Sequence, residues 1–261
     1  MKKIIFPKFF IICLLSSVAY FSVPPLSAEH KVEKTVSLTR SDSQLFSLIM
    51  PYDPIEPVNR CIFEFNDALY LWLFRPISKI YSFILPYTVR ESLDNVVLNL
   101  EFTIRGVSCL LEAEWKGAWV ETERFFIKLT IGVLGIYDAA EKYYNIRAYN
   151  EDFGQAFATW GIGPGFYFVI PVLGPSTLRD AVGEIFNLAF HPVTWIPLPG
   201  IGTFVFVNRM SLRLNHYLDI RDPSLDPYDS MKGLWFIDRR ILIDNLDRSP
   251  SGWGDEQWHN L

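Results

Sequence analysis

The chain has 261 residues; half are hydrophobic, 16% are aromatic, only 20% are charged, and the net charge is −5. That length accommodates one large domain or two small ones, and so apolar a composition means that many side chains face an unusually large core or something other than water. An acidic chain lacks the concentrated basic surface that nucleic acid demands, which excludes that class of partner.

In chain order, Lys2, Lys3 and Lys8 precede an apolar run from Phe9 to Phe21, and Leu26-Ser27-Ala28 supplies small residues for cleavage. Residues 1–28 are therefore predicted to be an export signal peptide, with an apolar run too short for a comfortable transmembrane helix. Its removal takes away three lysines and no acid, so the net charge falls to −8. Cys13 lies inside that run, behind Phe10-Ile11-Ile12 where a lipidation site needs small residues, so no lipid anchor is expected there. Cys61 and Cys109 remain; an oxidising compartment permits a disulfide between them, and two unpaired buried thiols are the alternative.

Residues 29–50 are polar and without periodicity and read as a flexible N-terminal segment. Pro51-Tyr52-Asp53-Pro54 marks a turn, with Asp53 or Glu56 serving the first turn of a helix. Val58, Ile62, Phe65, Leu69 and Leu73 follow at helical spacing, and Phe63, Tyr70, Trp72 and Phe74 leave little of that helix polar. Pro76 opens a second short apolar segment that stops at Pro86. Val89, Leu93, Val96, Leu100, Ile104, Val107 and Leu111 form the longest regular stripe. The opposite face carries Arg90, Asp94, Glu101, Arg105 and Glu112, which predicts one ordinary amphipathic helix. Another helix is predicted from about Trp115 to Thr130, with Trp119, Phe125, Phe126 and Leu129 inward and Gly132-Val133-Leu134-Gly135 ending it. Residues 138–152 read as a polar surface connection.

Between Asp152 and Arg179 there is no charged residue, a length sufficient to span a bilayer. Gly154, Gly161, Gly163, Pro164, Gly165, Pro171, Gly174 and Pro175 break it too often for a straight helix. A second uncharged stretch, Ile185 to Asn208, is cut by Pro192, Pro197 and Pro199. Both read as short apolar pieces and turns that either form a soluble core or wrap a polar path within a membrane. Leu212, His216, Leu218 and Asp219 belong to a further helix, Asp222 to Pro227 to a turn, Met231–Ile243 to a final helix, and residues 244–261 to a flexible tail.

Chemistry for an enzyme is sparse. His30, His191, His216 and His259 have no metal-ligand spacing with one another or with Cys, so neither a metal nor a cofactor is expected. Gly174-Pro175-Ser176 lacks the second glycine of a nucleophile elbow. Gly161-Ile162-Gly163-Pro164-Gly165 lacks the Lys and Ser/Thr of a phosphate-cradling loop, and Pro164 removes a backbone donor. Glu112 and Glu114 diverge on a helix and are expected to be solvated.

Four blocks carry a family resemblance. The first is Asp53-Pro54-Ile55-Glu56-Pro57-Val58-Asn59-Arg60 with Phe63, Phe65-Asn66 and Arg75-Pro76. The second is Arg124-Phe125-Phe126 with Thr130-Ile131-Gly132 and Tyr137-Asp138. The third runs from Asp152-Phe153-Gly154-Gln155 through Trp160-Gly161-Ile162-Gly163-Pro164-Gly165, Pro171 and Gly174 to Ser176-Thr177-Leu178-Arg179-Asp180. The fourth is Asp226-Pro227-Tyr228 with Arg239-Arg240. In this order, over residues 51–243, they resemble the MlaA (VacJ) family. The resemblance implies a mostly α-helical, ring- or disc-like protein of amphipathic helices and breaker-rich apolar loops, embedded in the periplasmic leaflet of the outer membrane around a channel of polar character. It implies phospholipid as cargo, an outer-membrane trimeric porin and a periplasmic MlaC-like carrier as partners, maintenance of lipid asymmetry, and no enzymatic step. Phe65, Asn66, Trp160, Gly161, Gly163, Gly165 and Arg179 are then the expected lipid-binding or channel residues. Asp53, Asn59, Arg60, Arg75, Pro76, Arg124, Phe125, Phe126, Phe153, Gly154, Pro171, Gly174 and Asp180 are expected to be structural. Two departures stand out: no lipidation cysteine is evident, and Pro57-Val58 replaces the glycine and aromatic common before Asn59. Each signature arginine can hold a lipid phosphate or pair with a nearby acid, as Arg179 can with Asp180 or Glu184.

Overall fold

The computed structural model describes residues 53–244; the expected signal peptide, Cys13, the segment 29–50 and the tail past Asp244 lie outside the described residues. Helix α1 (Glu56–Leu69) starts on Glu56-Pro57, where proline costs no hydrogen bond. It runs without interruption through a π turn (Tyr70–Phe74) into α2 (Arg75–Ile84). Pro76 thus sits inside a continuous rod. It has no N–H for the turn before it, and the π turn absorbs the mismatch, the Arg75 N–H bonding the Tyr70 carbonyl five residues back. Pro86 follows the extended residue Leu85 that ends the rod.

The longest apolar stripe builds two helices, α3 (Tyr87–Leu100) and α4 (Phe102–Leu111), broken at Glu101. After α5 (Trp115–Thr130), residues 131–137 turn through left-handed Val133, Leu134 and Gly135. The predicted surface connection 138–152 contains α6 (Ala139–Tyr144), capped by the Asp138 carboxylate and seated on fully buried Ala139 and Ala140. The first uncharged stretch forms α7 (Phe153–Thr159), capped by Asp152, and an antiparallel hairpin of β1 (Tyr167–Ile170) and β2 (Gly174–Thr177), pairing Tyr167 with Thr177 and Ile170 with Gly174. Then come α8 (Leu178–Phe190), a 3-10 turn (Pro192–Trp195), α9 (Ile201–Leu212), α10 (His216–Arg221) and α11 (Pro227–Ile243), the last capped by Asp226 one turn before the predicted start. Among the described residues no helix is long and apolar enough to cross a membrane.

Packing closes on itself. The rod's α2 lies on α9, α9 on α3, α3 on α4 and α5, α4 on α7, α7 on α8 and α11, these two on β2, and β1 returns to α1. What faces inward is unusual. Among the described residues 19 buried side chains are polar or charged against 15 hydrophobic, and the apolar clusters are small, such as Tyr70 with Phe206 and Met210. Several helices are inverted relative to a water-soluble protein. Along α8, Leu178, Val182, Ile185, Phe186 and Phe190 are exposed while Arg179, Asp180 and Asn187 are buried. Along α5, Trp115, Trp119 and Phe126 are exposed while Glu121, Arg124 and Lys128 are buried, which overturns the inward placement expected for Trp119 and Phe126. On α2, Ile77, Ile80, Phe83 and Ile84 point out and Ser78 points in.

The charged face of α3–α4, expected to be solvated, is largely withdrawn from water too. Arg90 is buried, and Asp94, Glu101 and Arg105 keep only a small part of their side chains exposed. Glu112 and Glu114 are half-buried. Periodicity identifies residues that share a face; it does not say which medium that face meets. Cys61 is exposed and Cys109 buried, and the two form no disulfide with each other.

Candidate functional site

A cavity of about 150 Å³ opens between the α1 rod, the hairpin and α9–α11. Its walls are Phe63, Phe74, Val172, Phe206, Met210, Leu234 and Trp235, and its few polar groups come from Asn66, Tyr70, Arg213, His216, Tyr217 and Asp238. Such walls accept hydrocarbon in preference to a charged solute, and methionine adapts to irregular shapes.

Two asparagines on one face of α1 build this wall. Asn66 accepts from the Val172 N–H (2.7 Å) and donates to the Ile170 carbonyl (3.0 Å), so one amide clips the hairpin turn. Val172 has φ +71°, a costly conformation for a β-branched residue, and Asn66 holds it there. Two helical turns earlier, fully buried Asn59 accepts from the Val169 N–H (2.9 Å) and donates to Asp53 (2.8 Å) and the Tyr167 carbonyl. Asp53 in turn accepts from the Tyr228 hydroxyl and from Lys232. Tyr70 donates to the Leu214 carbonyl (2.6 Å) and Tyr217 to Asp67 (2.8 Å). Burial raises both phenols above their usual range, so they stay neutral donors.

Around the cavity the interior is held by charge. Arg239 of α11 reaches Asp152 (2.5 and 2.8 Å) and Asp180 (2.7 Å), and Arg179 also pairs with Asp180. Burial opposes both charges of the Arg239–Asp152 pair, but their attraction wins: the guanidinium is driven above its ordinary range and the Asp152 carboxyl below its own. This requires α7 and α8 to touch: a Cβ on Gly183 would meet the Gly154 nitrogen at 2.5 Å, and one on Gly154 would meet the Arg239 guanidinium at 2.3 Å. Beside them Glu184 is pushed up to about 8 by burial, its Oε2 accepting from Asn187 and its Oε1 buried without a partner. A second chain runs Asp94–Arg209–Glu101 (2.8 and 2.6 Å), with Arg105 between Glu101 and Glu121. A third joins Arg124 and Lys128 to Asp138.

His191 and Ser176 are both engaged in local hydrogen bonds. Burial lowers His191 to about 3, so its ring is neutral. Its Nδ1 accepts from the Val193 N–H and caps the 3-10 turn, which leaves Nε2–H to face Glu101 at 3.4 Å. The Ser176 hydroxyl donates to the Thr177 carbonyl. Among the described residues no His, Cys, Asp and Glu cluster could hold a metal ion.

Of the residues singled out for lipid or channel contact, the cavity gathers Asn66 alone; from the structural set it takes Gly174. Phe65 is half-exposed on the α1 surface. Trp160 is exposed, with its indole N–H on the Leu111 carbonyl (2.9 Å), next to an exposed loop where Gly161 and Gly165 take left-handed φ. Arg179 is buried in its ion pair. Among the structural set, Asp53, Asn59, Gly154 and Asp180 hold the contacts above, and Pro171 lies in the hairpin turn. Arg60 ties Glu56, Asp226 and Asp229 together. Arg124 holds Asp138, Phe125 stacks on Phe102 at 4.0 Å, Phe126 faces out, and Phe153 stacks on Phe186. Sequence reasoning missed the distant wall: Phe206, Met210, Leu234, Trp235 and Asp238 carry no spacing signal linking them to α1.

The family model of the MlaA lipoprotein matches residues 51–241. The intermembrane phospholipid transport system lipoprotein MlaA of Escherichia coli (strain K12) is 30% identical over 205 residues, covering 76% of this chain and 81% of that protein. An uncharacterized protein of Rickettsia bellii is 30% identical over 186 residues, covering 69% and 72%. A solved structure from work on the structural basis for maintenance of bacterial outer membrane lipid asymmetry shares the fold, with TM-score 0.65 at 23% identity, over 74% of this chain and all of that one. This chain belongs to the MlaA lipoprotein family.

Proposed function

We propose that this protein is a non-enzymatic component of an intermembrane phospholipid transport system, seated in the periplasmic leaflet of the outer membrane, that takes phospholipid from the outer leaflet and passes it to a soluble periplasmic carrier. The observation that carries this reading is the inverted surface. Exposed aromatic and aliphatic faces on α2, α5 and α8 enclose buried Arg, Lys, Asp and Glu, an arrangement that water disfavours and half a bilayer accommodates. Exposed Trp72, Trp115, Trp119 and Trp195 suit the head-group level. The ion-paired interior supplies polar backing behind an apolar cavity that can take an acyl chain. The E. coli relative's name supports the cargo. A trimeric porin and an MlaC-like carrier are the proposed partners, and the apolar faces provide the seat.

The test is to purify the full-length protein from membranes and quantify co-purifying phospholipid, alongside surface-exposed phospholipid in a strain lacking the gene. Bound phospholipid together with raised surface phospholipid supports transport. A lipid-free preparation with unchanged surface phospholipid refutes it and favours a scaffold for porins.

A further inference from the structure

We propose that Arg75 holds the phosphate of a phospholipid whose acyl chains lie along the exposed apolar face of α2; this rests on the membrane seat proposed above. Among the described residues every other arginine has a protein partner, whereas Arg75 makes no hydrogen bond and no ion pair. Its Nε is buried without a partner while the residue as a whole is only partly buried, so the root of the guanidinium lies inside and its outer end nearer the surface. An unpaired donor that is partly desolvated gains more from an anion than a fully hydrated lysine does.

The surroundings say which anion. Trp72 and Leu73 precede Arg75 and Ile77, Ile80 and Phe83 follow it, all exposed and apolar. One turn on, Lys79 is exposed and likewise unpaired, so two cations four residues apart border an apolar face with no carboxylate in contact. Arg75 and Asp219 act on the Tyr70 hydroxyl in opposite directions, and the two form no ion pair with each other. Free phosphate gains nothing from the apolar half of this surface, whereas a phosphodiester carrying two acyl chains uses both halves. The π turn that ends at Phe74 sets the direction in which Arg75 leaves the rod.

The test is native mass spectrometry of the detergent-solubilised full-length protein, titrated with phosphatidylglycerol and, separately, with a phosphate-free galactosyl diacylglycerol. Arg75→Gln is expected to weaken phosphatidylglycerol binding about tenfold, the loss of a charge-assisted hydrogen bond. Galactolipid binding stays unchanged, and Arg75→Lys recovers part of the loss. Millimolar inorganic phosphate is expected not to compete. Equal phosphatidylglycerol binding by R75Q and wild type overturns the proposal, and competition by inorganic phosphate overturns the lipid source. If R75Q loses both lipids through misfolding, R75K decides: retained galactolipid with weakened phosphatidylglycerol supports the proposal, and undiminished phosphatidylglycerol overturns it. Wild-type protein that binds neither lipid sinks the membrane reading itself.

Discussion

Replacing Arg239 with Met tests whether buried charge holds the α7–α8–α11 junction together. The Arg239 side chain is 13% exposed and its guanidinium serves two carboxylates, Asp152 at the N-cap of α7 and Asp180 in the first turn of α8. Asp180 keeps Arg179 and the Thr177 hydroxyl after the change, but Asp152 loses its cation and keeps Gln155, through its backbone N–H and its side chain. The Asp152 side chain is 27% exposed, so stranding it costs less than the about 3–5 kcal/mol of a fully buried carboxylate, roughly 2–3 kcal/mol. In a chain of this size that lowers the melting temperature by roughly 4–12 °C. Adding Asp152→Asn removes the stranded charge and preserves the cap, so R239M/D152N should regain about half of the loss. Thermal unfolding of the full-length protein in detergent, followed by circular dichroism, gives the measurement. A single variant within 1 kcal/mol of wild type, or a double variant less stable than the single, would refute the argument that charge pairing carries this junction.

Glu184, raised from 4.5 to about 8, binds its proton more tightly in the folded state, so its contribution is full below pH 4.5 and lost as pH rises through 8. Glu184→Gln should therefore gain on wild type by up to roughly 5 kcal/mol between pH 4 and 9, read as the difference between their unfolding curves; a difference constant with pH contradicts the assignment. Gly183→Ala places a methyl 2.5 Å from the Gly154 nitrogen and should cost about 1–3 kcal/mol despite alanine's better helix propensity, so a stabilised variant shows that α7 and α8 are not in contact. Asn66→Ala removes both hydrogen bonds that clip the hairpin turn, and the Val172 amide should exchange with deuterium at least about tenfold faster, an unchanged rate arguing against the clip.

Local rules were legible where the determinant is local. Breaker density excluded a span from 152 to 179, and prolines and first-turn acids marked the start of α1 and both ends of α2, whereas the Asp152 cap of α7 and the Asp226 cap of α11 read only as parts of turns and connections. The family blocks led to the residues of Asn59, Asn66, Arg124 and Asp180, whose partners lie on other elements. What was illegible is orientation. The stripes of α3, α4 and α5 were identified, yet Trp119 and Phe126 face out on α5 and the charged face of α3–α4 is drawn inward beside a stripe that still buries Ile104, because hydrophobic periodicity assumes water outside. Tertiary pairing was hidden for the same chain-distance reason: Arg239 and Asp152 are 87 residues apart, and the cavity wall from α9 to α11 shares no spacing with α1. The hairpin escaped because Val172 takes left-handed φ without glycine, and only the Asn66 amide explains why.

The membrane seat is tested most directly by reconstituting the full-length protein into phospholipid bilayers brominated along the acyl chains and measuring tryptophan fluorescence. Trp72, 84% exposed on the protein surface, should lie in lipid. Quenching by the brominated chains, protection from aqueous iodide, and a reduced quenched fraction in Trp72→Phe are the predicted results. A chain that stays monodisperse in detergent-free buffer, with tryptophans open to iodide and blind to brominated lipid, would contradict it.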